Sequence, residues 1–169
     1  NPPIRSKKSS DGLWQYVLDG TVDYIGSDHG PFLPSEKEPG LSDIFACPAG
    51  STGFEERLPL FITAVREKRV PLQRTVDLLS TNAAKTFGLF PRKGAIAVGS
   101  DGDVVVVDTE RDFIVRRSCM KTAGRDIARL YEGRRLFGQV MLCLVRGRVV
   151  HAASEEVPSA SGWGRCVLV

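Results

Sequence analysis

Histidine occurs only twice in this 169-residue chain, at His29 and His151, which stand too far apart to make a His-x-His metal pair. The four cysteines, Cys47, Cys119, Cys143 and Cys166, are scattered, with no Cys-x-x-Cys pair. No secretory leader places them in an oxidising compartment, so reduced, structural thiols and a cytoplasmic location are the expectation. No run approaches the roughly 18 consecutive apolar residues of a membrane span. An excess of one charge is missing too: 23 basic against 20 acidic residues leave a net +3, weak attraction for a polyanion. No nucleic acid and no membrane are therefore expected as partners, and there is no internal repeat or low-complexity tract.

What is present is the composition of an ordinary globular protein, 42% hydrophobic and 25% charged, enough for one substantial core or two small ones. The chain opens on Asn-Pro-Pro rather than Met, and its first periodic segments have no preceding strand or helix to pack on. A fragment would begin in this way, and so would a processed product.

The first dozen residues are too rich in Pro, Ser and charge for regular structure, whereas "LWQYVLDG" sets Leu13, Tyr16 and Val17 at helical spacing and stops at Gly20. "TVDYIGS" favours a strand ending near Gly26 or Ser27. From Gly30 to Gly53 the prolines 31, 34, 39 and 48 predict a long ordered loop. Leu58, Phe61, Ile62 and Val65 then mark one face of a helix, with Pro59 in or near its first turn. "PLQRTVDLLSTNAAKTFGL" reads as two short helices, the second starting at Thr81 or Asn82 and finishing at Gly88, with Leu72, Val76, Leu79, Ala83 and Phe87 buried. Beyond Gly99 to Gly102 the period changes: Val104 to Val107, "DFIVRR" and "QVMLCLVRGRVVHA" are strand candidates, the last split by an Arg146-Gly147 hairpin turn. Residues 1–88 thus read as the closing part of an α/β layer, and 89–169 as a mainly β unit.

Asp28 falls just past the expected strand, followed by His29, Gly30 and Pro31. A carboxylate at the C-terminal end of a strand in an α/β protein is placed for metal binding or proton transfer. An Asp-His-Gly-Pro turn whose Asp accepts backbone N–H bonds is the plainer alternative.

Three stretches in fixed order, "NPPIR", "DGTVDYIGSDHGPF" and "STNAAKTFGLFPRKGAIAVGSDGDVVVVD", together resemble the C-terminal portion of the cyclic amidohydrolases, the hydantoinase and dihydropyrimidinase branch with allantoinases and dihydroorotases nearby. "CLVRGRVV" and "GWGRCV" extend the resemblance over nearly the whole chain. It implies a (β/α)8 TIM barrel, here its C-terminal part, followed by part of a small β-sandwich. It also implies two divalent metal ions, usually zinc, a small cyclic amide or ureide as substrate, and a dimer or tetramer of identical chains. The family's site uses a His-x-His pair, a carboxylated Lys, two later His residues and a final Asp. By motif position Asp28 is that Asp, a metal ligand and catalytic proton carrier. An Asp suits both tasks because one oxygen can hold a cation while the other accepts a proton. The other ligands are absent from this chain, and a barrel of this class needs roughly 250 residues. The expectation is therefore a C-terminal fragment that is inactive alone.

By the same resemblance, His29 supports the loop or orients Asp28 from behind, although a plain structural histidine fits equally. Asn1 contacts substrate, the alternative being a loop residue at a chain end. Ala49 stands where hydantoinases commonly carry Asn and touch substrate through main-chain groups. Phe32 occupies a position where dihydroorotases tend to place a carboxylate-binding His, and an apolar ring cannot pair with an anion. Phe32 thus favours a neutral hydantoin or dihydropyrimidine over dihydroorotate. The basic stretch from Arg111 to Arg135 is interrupted by Asp112, Asp126 and Glu132 and reads as a solvated face or subunit contact. Two other functions stay open: a non-catalytic dihydropyrimidinase-like scaffold, and a separate β interaction module beginning near residue 89. His151 has no assigned function.

Overall fold

The Ser6 hydroxyl accepts the N–H of Ser9 at 3.2 Å and thereby caps a helix that begins well before the apolar residues. The computed structural model describes residues 3–158 and 161–167. Helix α1, Lys7–Asp19, ends where Gly20 turns left-handed at φ 93°. Its first turns lie in the segment expected to be irregular. The cap, with Lys7 paired to Asp11 one turn on at 2.5 Å, outweighs the unfavourable composition. Val17 is buried while Leu13 and Tyr16 are exposed, and Trp14 packs on the Phe61 ring with centroids 5.8 Å apart.

Residues 21–27, expected as a strand, carry no sheet ladder. A strand needs a neighbour, and the groups that meet this segment belong to helices. Ile25 N–H donates to the Leu78 carbonyl at 3.0 Å, Arg74 donates to the carbonyls of Val17 and Val22, and Asn82 to that of Asp23. The loop after it contains a four-residue helix, α2 (Pro34–Lys37), and 3-10 turns at Glu38–Leu41 and Ile44–Ala46.

Helix α3 (Arg57–Arg66) buries Pro59, Ile62, Thr63 and Ala64. The next two helices, α4 (Leu72–Val76) and α5 (Asn82–Thr86), are joined by a π turn over Asp77–Thr81, so the chain stays helical where a break was expected. Thr81 has helical φ and ψ and donates its hydroxyl to the Gly94 carbonyl instead of capping. The burial expected here is also corrected: Leu72, Val76 and Phe87 are 49%, 46% and 54% exposed, whereas Thr75, Leu78 and Ala84 are buried. Two faces of this helical run carry apolar residues, and the core takes the one bearing Leu78. That core joins Val17, Ala64, Val70 and Leu78, with Trp14, Val22, Ile25, Phe61 and Val65 packed around it.

Among the described residues three antiparallel strands follow in the order β1 (Val104–Ile114), β2 (Arg135–Val145), β3 (Arg148–Ala152). Two of the expected strands are one, bent between Asp108 and Asp112, where the Asp108 carboxylate accepts the N–H groups of Glu110 and Arg111. Arg146 and Gly147 both have positive φ, 47° and 75°, as the two-residue turn between β2 and β3 requires. Lys93 binds Asp101 and Asp103, and Asp103 accepts the Arg146 N–H at 2.7 Å, which fastens the preceding turn to this hairpin. Strand β2 crosses α3 at Phe137 and Gly138, where Thr63 Oγ1 accepts the Phe137 N–H at 2.9 Å. Among the described residues no helix is long and apolar enough to cross a membrane.

Candidate functional site

Asp28 is exposed and sits at φ 46°, one of three non-glycine residues in the left-handed region among the described residues. Such a conformation costs an L-residue roughly 1–2 kcal/mol, least for Asn and Asp. Its carboxylate takes no hydrogen bond or ion pair among the described residues, so this is not the expected alternative of a turn closed by the Asp side chain. Both oxygens are open to a ligand.

His29, next along, is half-buried and fixed on three sides. The N–H groups of Gly53 and Phe54 point at Nδ1 from 3.2 and 3.3 Å, and Nε2 lies 3.1 Å from Thr122 Oγ1. Two donors at Nδ1 put the ring proton on Nε2, which donates to the threonine hydroxyl. The His29 backbone bridges Ser51 in parallel, Gly30 N–H donates to the Ser51 carbonyl at 2.9 Å, and the ring meets Phe54 edge-on.

The Phe32 ring covers the backbone of both Gly30 and Gly50. A Cβ on either glycine would come within 2.9 Å of that ring, so both positions need the missing side chain. The Lys37 ammonium lies over the same ring, 4.6 Å from its centroid, and donates to the carbonyls of Pro48 and Gly50 at 2.5 and 2.8 Å. Ala49, between those two carbonyls, is exposed, and among the described residues no hydrogen bond reaches its N–H or carbonyl. The segments His29 to Phe32 and Pro48 to Phe54 therefore lie against each other as one rim, with Asp28 next to His29 in the chain and Ala49 between the two carbonyls that Lys37 binds. His151 is exposed on β3 opposite Cys143, and Asn1 lies outside the described residues.

Sequence reasoning missed the support beneath the rim. The Glu55 carboxylate accepts the N–H groups of Lys121 and Thr122 at 2.8 to 3.1 Å, and Gly124 sits so near Pro31 that a Cβ would lie 2.6 Å from its Cα. Glu56 is only 5% exposed, with Oε2 unpartnered among the described residues. Burial raises its pKa, backbone hydrogen bonds at Glu56 and Glu55 oppose that, the Glu55 carboxylate adds to it, and His29 opposes it. Burial raises the Tyr131 hydroxyl in the same way. The one available signal was the acidic pair at the start of a helix, which reads as an ordinary exposed N-terminus.

Among the described residues no three His, Cys, Asp or Glu side chains come together to hold a metal ion. Asp28 is an open carboxylate of the right type for a hard or borderline cation, and further donors would have to come from outside these residues.

The model of the amidohydrolase family matches residues 5–139. The chain is 40% identical over 150 residues to a D-hydantoinase of Ralstonia pickettii, covering 88% of this chain and 32% of that protein. It is 35% identical over 167 residues to an L-hydantoinase of Paenarthrobacter aurescens, covering 98% and 36%. A solved D-hydantoinase (dihydropyrimidinase) from Thermus sp. superposes with a TM-score of 0.88 at 36% identity, over 98% of this chain and 36% of that one. The chain thus spans about a third of the length of the relatives it matches.

Proposed function

Because the chain belongs to the amidohydrolase family, we propose that it is the C-terminal portion of a hydrolase that opens the ring amide of a neutral cyclic imide or ureide, a hydantoin or dihydropyrimidine. Residues 1–88 are then the closing part of a (β/α)8 barrel, and 89–169 part of a small β-sandwich. Two structural features support that division. The segment 21–27 has the composition of a strand without a paired neighbour, and Leu72 and Val76 on α4 are exposed apolar residues. Both are what a barrel strand and its helix show when adjoining units are not present.

The observation that carries the reading is Asp28, held left-handed with an unengaged carboxylate at the end of that segment. In the complete site two divalent metals, zinc in the usual case, would supply Lewis-acid activation of water, with Asp28 among their ligands. Asp28 then accepts a proton from the attacking water and returns it to the departing ring nitrogen, acting in turn as general base and general acid. The open main-chain groups of Ala49 can donate to and accept from an imide edge. Phe32 presents an apolar surface beside them, and the Lys37 ammonium is already engaged by two carbonyls, so the rim favours a neutral ring. Asn1 is proposed as a further substrate contact, and the whole protein as a homo-oligomer.

The test is the full-length polypeptide that contains this chain, assayed for ring opening of hydantoin and 5,6-dihydrouracil with its metal content measured. Turnover lost on Asp28→Ala with the fold retained is the expected result. Near-normal turnover in that variant sinks the proton-carrier role. A full-length protein that binds no metal and opens neither ring supports a scaffold instead.

A further inference from the structure

The loop after β1 is chemically tied to the Asp28 corner, and the ties converge on one residue. Thr122 Oγ1 faces His29 Nε2 at 3.1 Å and also receives the Gly124 N–H at 3.3 Å, while the Thr122 N–H is held by Glu55 at 2.8 Å. Gly124 closes the contact against Pro31, two residues beyond His29. His29 Nδ1 is occupied by two backbone donors, so Nε2 is the only ring nitrogen with a proton to give, and Thr122 is where it goes. Among the described residues Asp28 has no hydrogen bond or ion pair of its own to keep it in the left-handed region. Its geometry is maintained from the adjoining His29, whose ring cannot rotate without losing three hydrogen bonds.

We infer that Thr122 is a positioning residue: through His29 it fixes the backbone at Asp28, so the loop after β1 sets how well the carboxylate is aimed. This rests on the reading of Asp28 as the proton carrier and adds a determinant that touches neither substrate nor metal. The hydroxyl is the operative group. Thr122→Val removes the acceptor and keeps the shape, and Thr122→Ser keeps the acceptor.

Two measurements on the full-length protein separate this inference from the reading beneath it. The first is the Nε2–H signal of His29 in the spectrum of protein carrying ring-15N histidine; the second is the steady-state kinetics of hydantoin ring opening. Thr122→Val is expected to shift the His29 signal and speed its exchange with solvent. It should lower kcat about tenfold or more, with KM changed by less than about twofold, as for other groups that orient a ligand from behind, and with a modest fall in thermal stability from the two donors left unpaired. Thr122→Ser is expected to restore both. A displaced His29 signal with unchanged kcat overturns the inference and leaves the ring-opening reading intact. An unmoved signal in Thr122→Val overturns the contact itself. A wild-type protein that opens no ring overturns the reading on which the inference depends.

Discussion

Gly138 on β2 lies against Ile62 on α3 so closely that a Cβ at residue 138 would fall 2.6 Å from the Cβ of Ile62. With φ at 97°, the position is also one that L side chains rarely adopt. Gly138→Ala is therefore expected to lower stability by about 2–4 kcal/mol, from overpacking and backbone strain together. The denaturant midpoint measures it. Ile62→Ala in the same chain removes the two Cγ atoms but keeps the Cβ, so it should recover little of the loss, and full recovery would show that neither the Cβ contact nor the backbone is strained.

Among the described residues Asp28 holds its left-handed conformation without a hydrogen bond or ion pair of its own, so stability and the proposed function are expected to oppose each other there. Asp28→Gly should raise the unfolding free energy by about 0.5–1 kcal/mol, visible in urea titrations, and on the proposed reading should abolish ring opening in the full-length protein. A destabilised glycine variant would mean that the carboxylate stabilises the fold in some way.

The pH dependence of Glu56 follows from its burial. Its pKa lies above the ordinary glutamate value of 4.5, so the native state favours the neutral acid. The stability it contributes is present below that ordinary value and is lost as pH rises through the raised native one. Glu56→Gln should remove that loss and be more stable than wild type at neutral pH. Thermal unfolding of both proteins from pH 4 to 8 decides it, and parallel curves would contradict the assignment.

Lys93, Asp101 and Asp103 set a second pH limit. Hydrogen bonding to Lys93 holds the Asp101 carboxyl below its ordinary 3.8, while Asp103 and then Asp101 raise the Lys93 ammonium above 10.5. Asp101 contributes stability that is present above 3.8 and lost as acid carries the pH through its lowered value. Lys93 contributes stability that is present below 10.5 and lost as alkali carries the pH through its raised value. Lys93→Met should flatten both flanks of the melting-temperature profile. A profile with unchanged flanks would remove this cluster from the account.

Local signals were legible where one residue type decides the backbone. Gly20 ends α1, and Arg146-Gly147 turns β2 into β3. The run from Leu72 to Phe87 shows the limit of periodicity. The pattern marks an apolar face at Leu72, Val76 and Phe87 but cannot say which face has something to cover it, and the core took Thr75 and Leu78. A sequence window likewise could not reveal that a serine cap and a Lys-Asp pair would pull residues 7–12 into a helix. At the site, motif position led to Asp28, while its left-handed backbone and its support were hidden because the supporting groups are remote. Thr122 is 93 residues from His29, and the Lys121 N–H is 66 from Glu55. No local rule links such positions.

The bond between His29 and Thr122 also sets an order of events during synthesis. A ribosome adding roughly 5–20 residues per second needs on the order of 5–20 s to travel the 93 residues separating them. Throughout that interval the nascent chain carries Asp28 next to an imidazole whose Nε2 lacks its native acceptor. The corner can mature only after the loop beyond β1 has left the exit tunnel, so Asp28 is displayed without its support through the first part of the chain's emergence.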